Sequence, residues 1–293
     1  MEQKSGTIII GKNSESPLMA NRLGYGTMRL TGKGIIGEPK DRPQALAIIK
    51  TAFEAGVNYF DTADFYGEGV TNKLLKEALY PYDDRVIIGT KIGVLHKTVD
   101  SWLPYSKPDE LRKSVENNRA QLNLSTLPLV HFRVMPNSNA SFEESLETLF
   151  KLQQEGKINH VGVSNVSRAQ LETALKIGNI ATVQNLYGYV QRTTVSGQTR
   201  DVGGEEVLDL CEQNEIPLIP YFSLETSLSK KQEKIEKVAK KYNLSIAQMN
   251  IVWLLNKSKW LLPIPGTTSL LHLQENLKAA DIVLSTEEMD YLG

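Results

Sequence analysis

The sequence predicts an α/β fold: a single eight-stranded parallel (β/α) TIM barrel over residues 1–293, with an N-terminal hairpin and an extra C-terminal helix. Three observations predict it. Short runs rich in Ile, Val and Leu recur along the chain and are apolar on both faces, as strands of a covered parallel sheet are. Segments with helical spacing lie between them, and this alternation predicts a parallel sheet with right-handed crossovers. Eight such units in 293 residues fit a barrel. A doubly wound open sheet is the alternative. No composition break, linker or low-complexity tract marks a second domain.

Taken in order, Thr7–Ile10 reads as one strand of a hairpin closing the barrel bottom. The barrel strands read as Leu23–Gly26, Asn58–Asp61, Val86–Thr90, Pro128–His131, His160–Ser164, Thr182–Asn185, Pro217–Tyr221 and Leu261–Pro265. Pro43–Ala55 places Ala45, Ile48, Ile49, Ala52 and Phe53 on one helical stripe and stops at Gly56. Pro108, Asp109 and Glu110 open the next helix, with acids where the helix dipole favours them. Ser141–Gln154 aligns Phe142, Leu146, Leu149 and Leu152 ahead of Gly156. Ser167 precedes the helix Arg168–Ile177, and Glu205–Gln213 and Lys231–Lys241 repeat the pattern. Ser245 is placed to cap Ile246–Leu255. Leu270–Ala279 and Thr286–Leu292 close the chain.

Composition excludes several classes. Lys plus Arg number 33 against 34 Asp plus Glu, a formal net charge of −1, so there is no basic surplus for nucleic acid. One cysteine, Cys211, leaves neither a disulfide framework nor a cysteine-rich zinc module. The apolar run Ile8–Ile10 is too short for a signal peptide. No stretch approaches the roughly 18–20 apolar residues of a membrane helix. A soluble cytoplasmic protein is expected, acting as a monomer without nucleic-acid or membrane partners.

Some motifs carry no chemistry. Gly32–Gly37 matches G-x-G-x-x-G, but the next helix begins only after Pro43, so a flexible loop is expected and not a phosphate-binding turn. Gly162-Val163-Ser164-Asn165-Val166 lacks the closing glycine of a nucleophile elbow. His96, His160 and His272 show no metal-ligand spacing and read as surface or loop histidines; no metal is expected.

In a β/α barrel, catalytic groups sit at the C-terminal ends of strands and in the loops that follow. Asp61 ends the second strand, Tyr66 follows in its loop, Lys91 ends the third strand and His131 the fourth. Singly, these are a turn residue, a packed tyrosine, a solvated lysine and a core histidine. Together, at one barrel mouth, the ordinary readings require four coincidences. A tyrosine hydroxyl, with a pKa near 10, is a weak acid that a neighbouring ammonium strengthens. Asp61 would hold Lys91 charged, and His131 would orient a carbonyl oxygen beside Tyr66. The set suits proton donation to a carbonyl as a hydride arrives, and a hydride requires a cofactor.

At these residues the sequence resembles the aldo-keto reductase superfamily. FDTADFYG, GTK and VHF match its Asp, Tyr, Lys and His tetrad as Asp61, Tyr66, Lys91 and His131. The resemblance covers nearly the whole chain. It implies that Ser164 and Asn165 of GVSN and Gln184 of VQN hold a nicotinamide carboxamide. It puts Tyr221 of IPYFSL against the nicotinamide ring, with Ser223 and Leu224 beside the cofactor. LLPIPGTTSLLHLQENL resembles the segment holding the adenosine 2′-phosphate side of NADP, with Gly266, Thr267, Thr268, Ser269, His272, Glu275 and Asn276. MRLTGKGIIGEPKDR, EALYPYDDR and DSWLP are similar to a bacterial branch that includes pyridoxal reductases. One departure stands out: Gly266–His272 contains no Lys or Arg to pair with the 2′-phosphate. The expected cofactor is therefore NADPH, with NADH accepted as well.

The expected substrate pocket comprises Met28, Ile35, Ile36, Trp102, Phe132, Arg133 and Tyr187. Arg133 would face an anionic or polar substrate or make an ion pair at the rim. Trp102 would line the pocket or anchor its loop. The expected activity is reduction of a small-molecule aldehyde or ketone, pyridoxal among them, with Tyr66 as general acid. The alternative is a catalytically weak nicotinamide-binding sensor or partner subunit.

Overall fold

The computed structural model describes residues 5–192, 204–221 and 230–293. The chain begins with a hairpin of β1 (Thr7–Ile10) and β2 (Leu18–Asn21), paired antiparallel. β3 (Tyr25–Gly26) then starts the main sheet. α1 (Arg42–Glu54) is capped by Asp41, whose carboxylate accepts the Gln44 N–H at 2.9 Å, and Pro43 sits in its first turn. It buries Ala45, Ile48, Ile49 and Ala52, the predicted stripe. β4 (Tyr59–Asp61) leads to α2 (Val70–Leu79), a helix the sequence reading missed. Its N-cap is Gly69 in a left-handed conformation with no side-chain cap, so the usual start signal is absent.

β5 (Ile87–Ile92) is followed by a second hairpin, β6 (Val94–Thr98) and β7 (Ser101–Pro104), also unpredicted. The order continues with α3 (Pro108–Leu122), β8 (Leu127–Arg133), α4 (Phe142–Gln154), β9 (Ile158–Ser164), α5 (Arg168–Ile177), β10 (Ile180–Leu186), α6 (Glu205–Gln213) and β11 (Leu218–Tyr221). α7 (Lys230–Lys241), α8 (Ile246–Lys257), α9 (Leu270–Ala279) and α10 (Thr286–Leu292) complete it. Among the described residues, no helix is long and apolar enough to cross a membrane.

The main sheet has seven parallel strands in the order β11-β10-β9-β8-β5-β4-β3. The eighth expected strand, Leu261–Pro265, is reduced to a bridge between Leu261 and Leu218. Pro263 and Pro265 have no N–H and cannot continue a ladder. The segment still spans the two sheet edges. Leu262 donates to the Leu218 carbonyl at 3.0 Å, and Gly24 donates to the Pro263 carbonyl at 2.9 Å. An open doubly wound sheet has no such joint.

Apolar side chains occupy both sides of the ring of strands. The larger cluster lies between sheet and helices and includes Trp253, which is fully buried in α8. The smaller cluster plugs the N-terminal end: Ile8, Ile10 and Ala20 from the hairpin meet Tyr59, Ile87, Leu129, Ala181, Ile219 and Leu262. Two histidines expected at the surface or in loops, His96 and His160, are buried in strands instead. His160 places Nε2 2.9 Å from the Ser16 carbonyl. His96 stacks on Trp102, with ring centroids 3.9 Å apart. A backbone carbonyl facing each ring supplies the polar partner that burial requires. Cys211 is buried.

Candidate active site

Parallel pairing sets strand ends side by side. Asp61 pairs with Gly89, Lys91 with His131, Arg133 with Ser164, and Ser164 with Gln184. A cavity of ≈ 470 Å³ opens at these ends, lined in part by Asp61, Tyr66, Lys91, Arg133, Ser164 and Gln184. The Lys91 ammonium lies 2.6 Å from Asp61 Oδ2, with side chains 2% and 4% exposed. Gln184 Nε2 donates to the other carboxylate oxygen, Oδ1, at 2.7 Å. Lys91 Nζ also stands 4.8 Å from the Tyr66 ring centroid. Burial draws the Lys91 pKa down, and Asp61 opposes this.

Burial foremost, and then the Asp61 charge, push the Tyr66 hydroxyl well above the usual tyrosine range; Arg133 pulls it back. The sequence reading assigned the lowering of this pKa to Lys91, whose ammonium is already spent on Asp61. Tyr66 is therefore a protonated hydroxyl at neutral pH, able to donate.

His131 stands beside Lys91 across the β5–β8 pairing but, among the described residues, is not one that lines the cavity. It is fully buried. Its Nε2 meets the Thr182 hydroxyl at 2.8 Å, inside the barrel. A Cβ on Gly162 would lie 2.7 Å from its ring, so that glycine makes room for it. Burial and then the Lys91 charge drive its pKa down to about 3, so the ring is neutral. Side chains two apart on a strand share a face, and Arg133 holds the cavity position on the His131 face of β8. Its guanidinium lies 5.2 Å from the Trp102 ring centroid and 5.8 Å from that of Phe65.

Of the residues that the resemblance assigned to a cofactor, Ser164, Gln184, Tyr221 and Gly266 line the cavity. Asn165 is buried behind Tyr221, whose hydroxyl donates to its Oδ1 at 2.5 Å. Gly266 approaches the first strand so closely that a Cβ would lie 2.5 Å from the Gly26 carbonyl oxygen. Thr267 and Asn276 are buried, Glu275 is half-buried, and Thr268 and His272 are exposed. The Ser269 hydroxyl caps α9 by accepting the His272 N–H at 3.3 Å. Ser223 and Leu224 fall outside the described residues.

Of the expected substrate pocket, Met28, Ile35, Trp102 and Arg133 line the cavity. Ile36, Phe132 and Tyr187 do not, and three local reasons account for them. Phe132 lies between two inward residues of β8, so the pleat turns it outward, 6.2 Å from the Phe142 ring. Tyr187 packs 6.0 Å from Trp253 and donates to Glu205 at 3.2 Å. Ile36 follows a short 3-10 turn, Lys33–Ile35, in extended conformation and is carried away from the lining that Ile35 joins. No helix follows that turn until Arg42, in keeping with a loop at Gly32–Gly37. Gly26, Arg29, Ile264 and Pro265 also line the cavity and were missed. Gly26 and Arg29 were within reach of the strand-end rule that found Asp61.

Comparison with known proteins agrees with this arrangement. A model of the Aldo/keto reductase family matches residues 22–293. A pyridoxine 4-dehydrogenase of Escherichia coli (strain K12) is 38% identical over 293 residues, 98% of this chain and 97% of that protein. Among solved structures, a thermostable aldo-keto reductase in complex with the inhibitor epalrestat is 28% identical, with a TM-score of 0.82 over 98% of both chains. An aldo-keto reductase from Klebsiella pneumoniae in complex with NADPH shares the fold at 24% identity, with a TM-score of 0.76 over 100% of this chain and 94% of that one. The match runs from the first barrel strand to the C-terminus, and by it the chain belongs to the aldo/keto reductase family of oxidoreductases.

Proposed function

We propose that this chain is an NADPH-dependent reductase of small aldehydes and ketones, with Tyr66 as general acid and pyridoxal the first substrate to test. The observation that carries the reading is the group Asp61, Lys91, Tyr66 and Gln184 on one cavity wall at the strand ends. The similar pyridoxine 4-dehydrogenase supports the substrate, and the NADPH complex of the Klebsiella protein supports the cofactor.

The residues fit a nicotinamide cofactor. Ser164, Gln184 and Tyr221 give one cavity wall hydroxyl, amide and aromatic groups. Gly266, with no side chain, lets its wall of the cavity pack directly against the first strand at Gly26. The exposed Thr268 and His272 stand at the N-terminus of α9, an end suited to phosphate. When bound, NADPH supplies the hydride, so aldehyde, NADPH and one proton become alcohol and NADP⁺.

Tyr66 holds the proton at Oη and gives it to the carbonyl oxygen. The phenolate so formed is favoured by the Arg133 charge, the one that draws the Tyr66 hydroxyl's pKa down. Asp61 keeps Lys91 charged and fixed, and Gln184 fixes Asp61. General acid catalysis of this kind is worth roughly 10²–10⁴-fold. Tyr66→Phe is expected to lower kcat by about that factor while NADPH still binds, measured as NADPH consumption with pyridoxal and a panel of aldehydes. Wild-type turnover by the variant would remove Tyr66 from this role. A protein that retains NADPH yet reduces no carbonyl would sink the reductase reading.

A further inference from the structure

One buried histidine faces two acceptors. His96, on β6, is 2% exposed. Its Nδ1 lies 3.0 Å from the Ser101 carbonyl oxygen and its Nε2 3.0 Å from the Gly34 carbonyl oxygen. A carbonyl oxygen only accepts, so each nitrogen has to donate. A neutral imidazole carries one N–H, and the doubly protonated ring carries two. In a neutral ring, one bare nitrogen would face a carbonyl oxygen in a buried place, and neither atom would have a donor.

The two carbonyls belong to different loops of the cavity. Ser101 precedes Trp102 in the β6–β7 hairpin, and Gly34 precedes Ile35 in the 3-10 turn; Trp102 and Ile35 both line the cavity. The His96 ring also stacks on Trp102, with centroids 3.9 Å and planes 21° apart, and an indole face favours a cation. The turn is strained. Gly34 and Ile35 have φ of 72° and 66°, in the left-handed region that a β-branched residue avoids. Two ties hold it there: His96 meets the Gly34 carbonyl, and the Gly67 N–H, next to Tyr66, donates to the Ile35 carbonyl at 3.0 Å. The hairpin closes on the same point, since a Cβ on Gly34 would lie 2.7 Å from Val99 Cγ2. The charged groups on these elements are Lys33 of the turn and Lys97 and Asp100 of the hairpin, all exposed. Arg133 of β8 lies 5.2 Å from the Trp102 ring centroid. Asp64 precedes Phe65, which meets Trp102 edge-on at 5.9 Å, and burial pushes the Asp64 carboxyl up to about 7.

Building on the proposed reductase reading, we propose that His96 is a positioning residue for the substrate. As the doubly protonated ring it bridges the two loops and sets Trp102 and Ile35 at the spacing that grips an aromatic aldehyde. When pH rises and one ring nitrogen gives its proton to solvent, one bridge is lost. A wall of the pocket then retreats, and substrate binds less tightly. Hydride and proton transfer stay with the groups at the strand ends.

The bridge is read directly from nitrogen-15 spectra of protein labelled at its four histidines. His96 is assigned by its absence in His96→Gln or, should that variant not fold, by sequential assignment of wild type. Its ring should show two protonated nitrogens at neutral pH, and one bare nitrogen there overturns the proposal. The grip is read with benzaldehyde, which does not titrate, at saturating NADPH. KM should rise roughly tenfold as pH climbs from about 5 to beyond 8, in a step that kcat does not follow. His96→Gln, with an amide donor for one carbonyl only, should have the raised KM at every pH. Asp64→Asn should keep the wild-type step. A flat wild-type KM overturns the proposal and leaves the reductase reading standing. So does a step that survives His96→Gln or vanishes in Asp64→Asn. No turnover of any aldehyde strikes down the reductase reading and the grip with it, and the two-donor bridge is then judged by the nitrogen spectra alone.

Discussion

Tyr59 and Asp61 are two residues apart on β4 and face the same interior, yet they belong to different worlds. Tyr59 joins Ile87, Leu129, Ile219 and the hairpin residues Ile8 and Ile10 in a dry plug at the barrel floor. Asp61 joins Lys91 and Gln184 at the mouth. Other strands make the same transition, as β8 does from Leu129 through His131 to Arg133. The floor is held by area removed from water, which is tolerant of detail. The mouth is held by paired charges whose worth depends on every partner being present. One framework thus separates a region that maintains the barrel from one that spends stability on chemistry.

Breaking the ion pair tests that division most severely. Lys91→Met leaves Asp61 buried without its cation and is expected to cost about 3–5 kcal/mol, read by denaturant unfolding, together with most of the activity. The double variant Asp61→Asn, Lys91→Met should recover much of the stability and none of the activity. If stability and activity recover together, the mouth is not a region specialised for chemistry.

At the floor, Leu129→Ala should cost about 2–4 kcal/mol through a cavity in the plug. At a temperature where the variant remains folded, kcat should stay within a few-fold of wild type. A kcat loss that exceeds the loss of folded protein would erase the contrast between floor and mouth.

His131, between the two regions, gives the smallest and sharpest test. Its folded pKa is about 3 against an ordinary value of 6.5. Between those values the unfolded chain binds a proton that the folded chain refuses. The contribution is therefore complete above 6.5 and is lost as pH falls toward 3, at about 1.4 kcal/mol per pH unit. Unfolding measured from pH 6.5 to pH 5 should show a loss of about 2 kcal/mol that His131→Gln removes. An acid limb identical in the variant would mean that His131 is not held neutral.

Much of the site was legible because a barrel puts its reacting groups at strand ends. That rule, with the motif around FDTADFYG, found Asp61, Tyr66 and Lys91. It placed both His131 and Arg133 at the mouth, the first as a catalytic group and the second as a pocket residue. Residues two apart share a face, and only pairing register and the reach of each side chain decide which one meets the cavity. The same pleat could have excluded Phe132, which sits between them. α2 escaped because a left-handed glycine, and not a capping side chain, starts it. The β6–β7 hairpin escaped because it is short and lies within what reads as a long loop. The last strand was overcalled because its apolar pattern is genuine but its prolines cannot pair.

Those prolines make the barrel a hoop with a seam. Elsewhere the hoop is fastened by parallel ladders; between β11 and β3 it is fastened by a few backbone bonds around residues 261–263. The seam runs directly into Ile264, Pro265 and Gly266, which form a wall of the cavity. A molecule seated against that wall and the opposite strand ends acts as a clasp across the join. A ligand that binds this folded mouth and not the unfolded chain stabilises the closed hoop by mass action.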